Sequence, residues 1–261
     1  MSSRKKCIFF VLMIMIVSLL LFLSEGKPLE RKQSGSQSSG IQMSQETSQT
    51  VTSRSIITAD YILVEKVVTE QNGNDKELQK IALTFDDGPH PHYTEQLLDG
   101  LKERGVHATF FVTGEHAELH PDIIKRMYDE GHLIGNHTYS HIQLTKNNRD
   151  KFKAELVQTS EVIEEITGEE VIYVRPPYGT WDKKFEEELN MIPVLWTIDP
   201  LDWCSNNAAS VVNKIVTKAE ENDIILMHDY YDTSVTAALQ AVDRLLQEGY
   251  EFVTVDEIIF D

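Results

Sequence analysis

Short apolar runs alternate with longer amphipathic stretches over residues 81–255. Apolar runs bounded by polar residues are typical of strands that are buried on both faces of a parallel sheet. They predict strands at Ile81–Phe85, Ala108–Val112, His132–Ile134, Val171–Val174, Val194–Ile198, Ile224–Met227 and Phe252–Val255. The stretches between them predict helices at Thr94–Arg104, Pro121–Glu130, Arg149–Thr167, Trp181–Leu189, Ala208–Glu221 and Val235–Glu248.

Glycines follow four of the predicted helices, where a left-handed residue commonly ends a helix. They are Gly105, Gly131, Gly168 and Gly249. Strands that alternate with helices imply parallel pairing through right-handed crossovers. We therefore predict an α/β fold over residues 80–261, in the form of a distorted (β/α) barrel of about seven parallel strands. An open, doubly wound sheet is the alternative.

The N-terminal segment has the pattern of an export signal. Arg4, Lys5 and Lys6 precede Cys7–Leu23, a run of seventeen residues without a charge. A basic region followed by a long apolar region indicates export, and this length is also at the lower limit for a membrane anchor. We expect residues 1–26 to be a signal peptide or a membrane anchor, and the rest of the chain to be secreted or held at the cell surface.

Two further segments precede the predicted barrel. Residues 27–55 are rich in Ser, Gln and Thr and predict a flexible linker. Residues 56–79 predict a lead-in segment, either an added strand or a short approach to the domain. Cys204 is the only cysteine after Cys7, so the exported part can form no intrachain disulfide and depends on its core for stability.

The predicted domain is strongly acidic. The chain has a formal net charge of −18, and its first 54 residues hold seven Lys or Arg against three Asp or Glu. Residues 55–261 therefore carry −22. Such a surface repels nucleic acid and anionic lipid, which argues against both as partners. It suits a neutral substrate or a product that becomes cationic, although solubility alone would also explain it.

Polar side chains that could bind a metal or take part in catalysis follow several of the predicted strands. They lie in TFDDGP (84–89), HTYSH (137–141), RPPYG (175–179) and LMHD (226–229). The carboxyl ends of parallel strands meet at one edge of the sheet, where ligands bind in α/β folds. Asp86 and Asp87 are neighbours on an extended segment, so their side chains diverge and we expect them to have separate roles. The four segments together predict a hydrolytic metal site.

HTYSH offers two metal ligands. His137 and His141 would lie on one face if this segment is helical, and Gly135 with Asn136 suits a turn from a strand into that helix. A carboxylate and two histidines, with open positions for water, form a known catalytic zinc set. The i, i+4 spacing also occurs by chance among surface histidines, so the other segments carry much of the argument.

Arg175 and His228 each end a predicted strand. An arginine beside paired carboxylates would hold one of them by a charge-assisted hydrogen bond; a surface salt bridge is the simpler alternative. Asp199 or Asp202 could keep His228 protonated. Two aromatic residues, Trp203 and Trp181, could stack on a sugar ring or serve local packing, and Trp203 is the better candidate.

Taken together, these segments resemble the polysaccharide deacetylase family, the NodB-homology domain of carbohydrate esterase family 4. The resemblance covers about residues 80–261 and rests on five motifs in the family's order. These are TFDDGP, H-T-x-x-H, R-P-P-Y-G, D-x-x-D-W and L-x-H. The resemblance implies that Asp87, His137 and His141 bind a divalent metal, with zinc as the first expectation and cobalt as a substitute.

The resemblance also implies roles for the other motif residues. Asp86 would be the general base, oriented by Arg175, and His228 the general acid, tuned by Asp202. The backbone N–H of Tyr178 would help to hold the oxyanion. Leu226 would line the acetyl pocket, and Trp203 remains a candidate substrate contact. The other histidines match no motif and are expected to be surface or packing residues; they are His90, His92, His107, His116, His120 and His132.

These roles predict an enzyme, a metal-dependent hydrolase that removes N-acetyl groups from N-acetylglucosamine in an extracellular glycan. Peptidoglycan is the first choice, and the motifs are similar to those of peptidoglycan N-acetylglucosamine deacetylases. Chitin oligosaccharides and acetylated xylan are the alternatives, and a non-catalytic glycan-binding module is an alternative of another class. Besides the glycan, the membrane would be a partner if the N-terminal segment stays uncleaved.

Overall fold

The computed structural model describes residues 78–260 of the chain. The predicted signal peptide or anchor, the predicted linker and most of the predicted lead-in lie outside this part. The last lead-in residue, Gln79, already belongs to the first strand. Among the helices of residues 78–260, none is both long enough and apolar enough to cross a membrane.

The strands of this part form one parallel sheet. They are β1 (Gln79–Asp86), β2 (Thr109–Val112), β3 (Leu133–Asn136), β4 (Tyr173–Val174), β5 (Ile192–Pro193), β6 (Ile224–His228) and β7 (Tyr250–Val253). The order across the sheet is β5-β4-β3-β2-β1-β6, and β7 pairs with the first half of β1. Every pairing is parallel, which confirms the predicted α/β class.

The chain between β5 and β6 brings the two ends of the sheet together. Pro193 of β5 is the register partner of Val174 in β4. A few residues later, Ile198 forms an isolated parallel bridge with Ile225 of β6. The hydrogen-bonded neighbours thus run from β6 across the sheet to β5 and return to β6, in agreement with a distorted barrel rather than an open sheet.

The predicted strand Val194–Ile198 is wrong in its bounds, because β5 comes before it at Ile192–Pro193. The reason lies in one buried side chain. Arg175 donates from Nε to the carbonyl oxygen of Val194 and from Nη2 to that of Leu195, both at 3.1 Å. These carbonyls are therefore used by a guanidinium and not by a neighbouring strand.

The helices of the described residues surround the sheet. They are α1 (Tyr93–Arg104), α2 (Gly114–Leu119), α3 (Pro121–Asp129), α4 (Arg149–Thr167), α5 (Lys184–Leu189), α6 (Ala208–Val216), α7 (Asp232–Glu248) and α8 (Val255–Ile259). All six predicted helices are present, but α5 begins at Lys184 rather than Trp181, and α6 ends at Val216 rather than Glu221. The glycines after α1, α4 and α7 have the expected left-handed conformation, and Gly131 has it one residue beyond the cap of α3.

Two helices were not predicted. Helix α2 follows β2 directly and is only six residues long, too short to show a helical period in the sequence. Helix α8 begins inside the predicted strand Phe252–Val255. Thr254 and Glu257 form a capping box there, and this reciprocal pair of hydrogen bonds starts a helix, so β7 ends at Val253.

The core lies between the sheet and the helices. Ile81–Asp86 of β1 are buried, as expected for a central parallel strand. Leu97, Leu98 and Leu101 of α1 are also fully buried, and each such leucine stabilises the fold by about 1.5–3 kcal/mol. This packing fixes the strands, so the loops at their carboxyl ends are held on a rigid base.

Candidate active site

The end of β1 presents two carboxylates in different environments. Asp86 is the last residue of the strand, and its side chain is buried. Asp87 has a φ of 74°, in the left-handed region, and its side chain is 35% exposed. The turn in the backbone sends the two side chains apart, as the sequence predicted.

Asp87 is grouped with the two histidines of HTYSH. Its Oδ1 lies 3.4 Å from Nε2 of His137 and 3.3 Å from Nε2 of His141. One ligand atom from each of the three residues lies within 4.8 Å of the other two. Atoms that bind a tetrahedral zinc at 2.0–2.2 Å are about 3.3–3.6 Å apart, so the spacing suits a single ion.

The surroundings of this trio also fit a cation. Oδ1 of Asp87 is buried and accepts no hydrogen bond, which is costly unless a positive group faces it. Nδ1 of His137 lies 2.6 Å from the carbonyl oxygen of Arg175. If Nδ1 donates this hydrogen bond, the lone pair of Nε2 faces Asp87, the usual arrangement for a metal-binding histidine. Burial alone would raise the pKa of Asp87, but the hydrogen bond and positive charge that His137 supplies when protonated, with the charges of protonated His141 and His228, hold it well below its ordinary value.

HTYSH is a loop rather than a helix, so the helical arrangement considered from the sequence is wrong. Gly135 and Asn136 belong to β3 and do not form a turn into a helix. Thr138 and His141 both have left-handed backbones, with φ of 63° and 55°. The two histidine rings still lie 5.0 Å apart, because this loop turns back on itself.

Asn136 shapes the start of that loop. Its Oδ1 accepts a hydrogen bond from the backbone N–H of Thr138, while its Nδ2 donates to the carbonyl oxygen of Leu156 and to Oγ of Ser160. Asn136 is buried at the end of β3. A local polar side chain thus replaces the hydrogen bonds of a helix, as Asn often does in turns.

Arg175 holds the second carboxylate. Its Nη1 donates to Oδ1 of Asp86 at 2.8 Å and to Oγ1 of Thr84 at 2.6 Å. Arg175 is fully buried, and its guanidinium lies 4.2 Å from the ring centre of Phe111. The predicted contact between arginine and carboxylate is therefore present, and it is a buried pair rather than a surface salt bridge.

His228 stands beside Asp86. The two residues are register partners on the adjacent strands β6 and β1. Nδ1 of His228 lies 3.0 Å from Oδ1 of Asp202, whose Oδ2 accepts the backbone N–H of His228. Asp199 instead accepts the N–H of Leu201 within its own loop. Of the two carboxylates considered for His228, Asp202 is the one in contact.

Asp202 sets the charge of His228. Burial alone would lower the pKa of this histidine. The hydrogen bond and the charge of Asp202 outweigh this and, with the carboxylates at the end of β1, raise the pKa to about 9. His228 is therefore a cation near neutral pH and can supply a proton. Its Nε2 lies 3.9 Å from Oδ2 of Asp87, close to the histidine pair.

The predicted substrate contacts surround this centre. Tyr178 is 65% exposed, and its ring centre lies 5.0 Å from that of His141. Leu226 is buried two residues before His228 on β6, so the two side chains point to the same face of the sheet. Trp203 is 41% exposed in the short 3-10 turn that begins with Asp202.

Trp181 has a different place. Its ring packs against Phe152 and Phe185, at centre distances of 6.5 and 5.4 Å, and its Nε1 donates to Glu186. These contacts belong to a smaller apolar cluster beneath α4 and α5. Local packing is therefore the role of Trp181 that the structure supports.

Two residues near the centre were missed. His116 was expected to be a surface or packing residue, but its Nδ1 lies 2.7 Å from the carbonyl oxygen of Asp87. It is carried by α2, which follows β2 at the same edge of the sheet, and that position was the available signal. Asp229 follows His228 and is fully buried, and its carboxylate contacts Gly88 so closely that a Cβ there would lie 2.3 Å from Oδ2.

Several known proteins with a similar sequence are polysaccharide deacetylases, as the motifs at this site suggested. A family model described as polysaccharide deacetylase matches residues 73–194. The peptidoglycan-N-acetylmuramic acid deacetylase PdaC of Bacillus subtilis is 39% identical over 184 residues, which are 70% of this chain and 39% of PdaC. A peptidoglycan-N-acetylglucosamine deacetylase of Bacillus cereus is 37% identical over 187 residues, 69% of this chain and 87% of the relative. The chain belongs to the polysaccharide deacetylase family.

A solved structure supports the same assignment. The structure of PdaC from Bacillus subtilis has a TM-score of 0.68 and 38% identity, and the match covers 70% of this chain and 91% of the solved one. The resemblance read from the five motifs is thus confirmed, as is the fold expected from it. The match spans about two fifths of the length of PdaC.

Proposed function

We propose that this chain is a metal-dependent hydrolase that removes the N-acetyl group from N-acetylglucosamine units of extracellular peptidoglycan. The observation that carries the proposal is the separation of the two carboxylates at the end of β1. Asp87 faces two histidines, while Asp86 faces Arg175 and stands beside His228. One carboxylate is thus available for a metal ion and the other for proton transfer.

Asp87, His137 and His141 would hold the ion, and zinc is the expected metal for this set, with cobalt as a substitute. A divalent metal in such a site lowers the pKa of water and polarises the carbonyl of an acetamide. Asp86, fixed by Arg175, accepts the proton of the attacking water. His228, kept protonated by Asp202, gives a proton to the amine that leaves. The products are acetate and a glucosamine unit.

The surface supports a glycan as the substrate. Two exposed aromatic side chains adjoin the site, Tyr178 against His141 and Trp203 next to Asp202, and both can lie against sugar rings. The acidic domain favours a neutral unit that becomes a cation over one that carries an extra carboxylate. This charge supports N-acetylglucosamine over N-acetylmuramic acid, although relatives with either name occur.

An extracellular place for the domain is part of the proposal. Cys7–Leu23 is uncharged and follows three basic residues, a pattern that supports export with a cleaved or a retained segment. A bacterial cell wall would then be within reach. Detection of the N-terminal sequence of the mature protein, from a culture supernatant or from membranes, distinguishes secretion from anchoring.

The decisive experiment measures acetate released by the purified protein from peptidoglycan, chitin oligomers and acetylxylan. We expect release from peptidoglycan, and glucosamine in place of N-acetylglucosamine after muramidase digestion. Release only from acetylxylan would refute the amide substrate. Binding of the glycan without any release would support the non-catalytic module instead.

The metal is tested in parallel by elemental analysis. The wild-type protein should contain about one zinc per chain, and His137→Ala should lose both the metal and the release of acetate. His107→Ala, a change at an exposed histidine away from the trio, is the matched control and should keep both. Full metal content in His137→Ala would refute the proposed ligands.

A further inference from the structure

Glu155 is a buried carboxylate outside the proposed ligand set. It lies on α4 and is 6% exposed. Its Oε2 accepts the backbone N–H of Ser140 at 2.9 Å, and both of its carboxylate oxygens lie within 3.0 Å of Oγ of Ser140. Since Ser140 directly precedes His141, this carboxylate touches the backbone that carries the second histidine.

The loop that carries the two histidines needs external support. Its residues Thr138 and His141 have left-handed backbones, a conformation that non-glycine residues keep only where their surroundings impose it. The first half of the loop is held by neighbouring backbone. Thr138 accepts the N–H of Gly114, and Tyr139 accepts the N–H of Glu115.

The second half is held by Glu155. The hydrogen bonds from the N–H and the hydroxyl of Ser140 end on its carboxylate. Helix α4 is a rigid base for it, because Phe152 and Leu156 on the same helix are fully buried. Lys151, one turn earlier, lies 3.5 Å from Oε1 and offsets part of its charge. The position of His141 thus depends on a helical residue that lies 15 positions after Ser140 in the chain.

We propose that Glu155 is a positioning residue that fixes His141 for metal binding by holding Ser140. The inference rests on the proposed metal site of Asp87, His137 and His141. Residues that orient a ligand in this way typically change metal affinity by about 10–100-fold when they are removed. Glu155 is not one of the proposed ligands and acts on His141 only through the backbone N–H and the hydroxyl of Ser140.

The test is the affinity of the full-length protein for zinc, measured by competition with a chelator. Glu155→Ala should weaken zinc binding by roughly 10–100-fold. Ser140→Ala removes only the hydroxyl and keeps the backbone contact, so its loss should be smaller. Ser140→Thr restores a hydroxyl and should restore affinity. The visible spectrum of bound Co²⁺ should change in Glu155→Ala, since it reports the geometry of the ligands.

A matched control exists in the same loop. The hydroxyl of Tyr139 donates to Glu118 on the exposed side, so Tyr139→Phe also removes a contact between a hydroxyl and a carboxylate. It should leave zinc affinity and the Co²⁺ spectrum unchanged. An equal loss in Tyr139→Phe would refute a specific role for Glu155, since any change in the loop would then weaken binding.

The remaining outcomes also decide the question. Unchanged zinc affinity in both Glu155→Ala and Ser140→Ala would overturn the inference. If Glu155→Ala does not fold, Ser140→Ala and Ser140→Thr decide it. Absence of zinc from the wild-type protein would refute the metal site and this role with it. Tight zinc binding without release of acetate from any glycan would refute the proposed function and leave the role of Glu155 standing.

Discussion

Asp86 and His228 are register partners on the neighbouring strands β1 and β6. Adjacent strands lie about 4.8 Å apart, so the two side chains rise from the sheet next to each other. They do not pair with one another. Asp86 is bound by Arg175, and His228 is bound by Asp202. Each of the two residues proposed for proton transfer therefore has its own partner of opposite charge.

This arrangement predicts that proton transfer and metal binding can be separated. Asp86→Asn and His228→Ala should keep the wild-type zinc content and lose activity by on the order of 10²–10⁴-fold, the usual contribution of one acid or base group. His141→Ala should lose the metal itself. Elemental analysis and acetate release on the same preparations check this, and loss of zinc from Asp86→Asn comparable to His141→Ala would assign Asp86 to the ligands.

Arg175 and Asp86 form a buried ion pair, with the arginine fully buried and the Asp86 side chain 5% exposed. Removing one partner of such a pair leaves a buried charge and costs about 3–5 kcal/mol. We therefore expect Arg175→Met, which keeps much of the packing, to lower the free energy of unfolding by that amount in urea. Arg149→Met is the surface counterpart, since Arg149 pairs with Asp182 and Glu188 near solvent, and it should change little.

The double variant gives a sharper form of the same test. In Arg175→Met the buried carboxylate of Asp86 has lost its guanidinium partner. Adding Asp86→Asn removes this negative charge, so the double variant should be more stable than Arg175→Met alone. If the second change lowers stability further, the loss comes from packing and hydrogen bonds to the carbonyl groups rather than from the charge of Asp86.

Because the carboxyl group of Asp229 is buried, we expect the stability of the protein to depend on pH. Asp229 is fully buried with Oδ1 unpaired, and burial raises its pKa to about 7. An unfolded chain loses this proton near pH 4 and the folded one near pH 7, so the folded state binds more protons between these values. Asp229 therefore costs stability as the pH rises from about 4 to about 7, at most roughly 4 kcal/mol.

Asp229→Asn should remove that cost, because the amide oxygen can still accept the hydroxyl of Thr94. The gain in free energy of unfolding over the wild type should be small at pH 4 and largest at pH 7 and above, measured by urea unfolding. Glu165→Gln, at an exposed position on α4, is the control for the change of charge. A gain that does not vary with pH would contradict the prediction.

The sequence predicted best those site residues that end apolar runs. Asp86 and His228 are the last residues of buried strands, and the parallel pairing of β1 and β6 brings them together. Arg175 also follows its strand, although β4 has only two residues. In each case the local pattern and the sheet lead to the same position.

The features that were not predicted depend on contacts between distant residues. The HTYSH spacing suggested a helix, but Asn136 and Glu155 hold it as a loop. The strand expected at Val194–Ile198 does not form over that range, because Arg175 donates hydrogen bonds to the carbonyl oxygens of Val194 and Leu195. His116 has no motif around it, and only the closeness of β1 and β2 places it against Asp87. The pattern of neighbouring residues in the sequence does not indicate any of these contacts.

A substitution of Trp203 can show whether the enzyme binds a chain of several sugars. The ring of Trp203 is 41% exposed and adjoins Asp202, which holds His228, so a sugar next to the reacting unit can lie on it. Remote contacts of this kind position a substrate for reaction. Trp203→Ala should lower kcat/KM for N-acetylglucosamine oligomers by on the order of 10-fold, or about 1.4 kcal/mol, and change little for the weak reaction of the monosaccharide. Trp181→Phe, in the packed cluster, is the control and should leave kcat/KM unchanged for both substrates. If Trp203→Ala lowers kcat/KM equally for the oligomers and the monosaccharide, Trp203 supports His228 rather than the glycan.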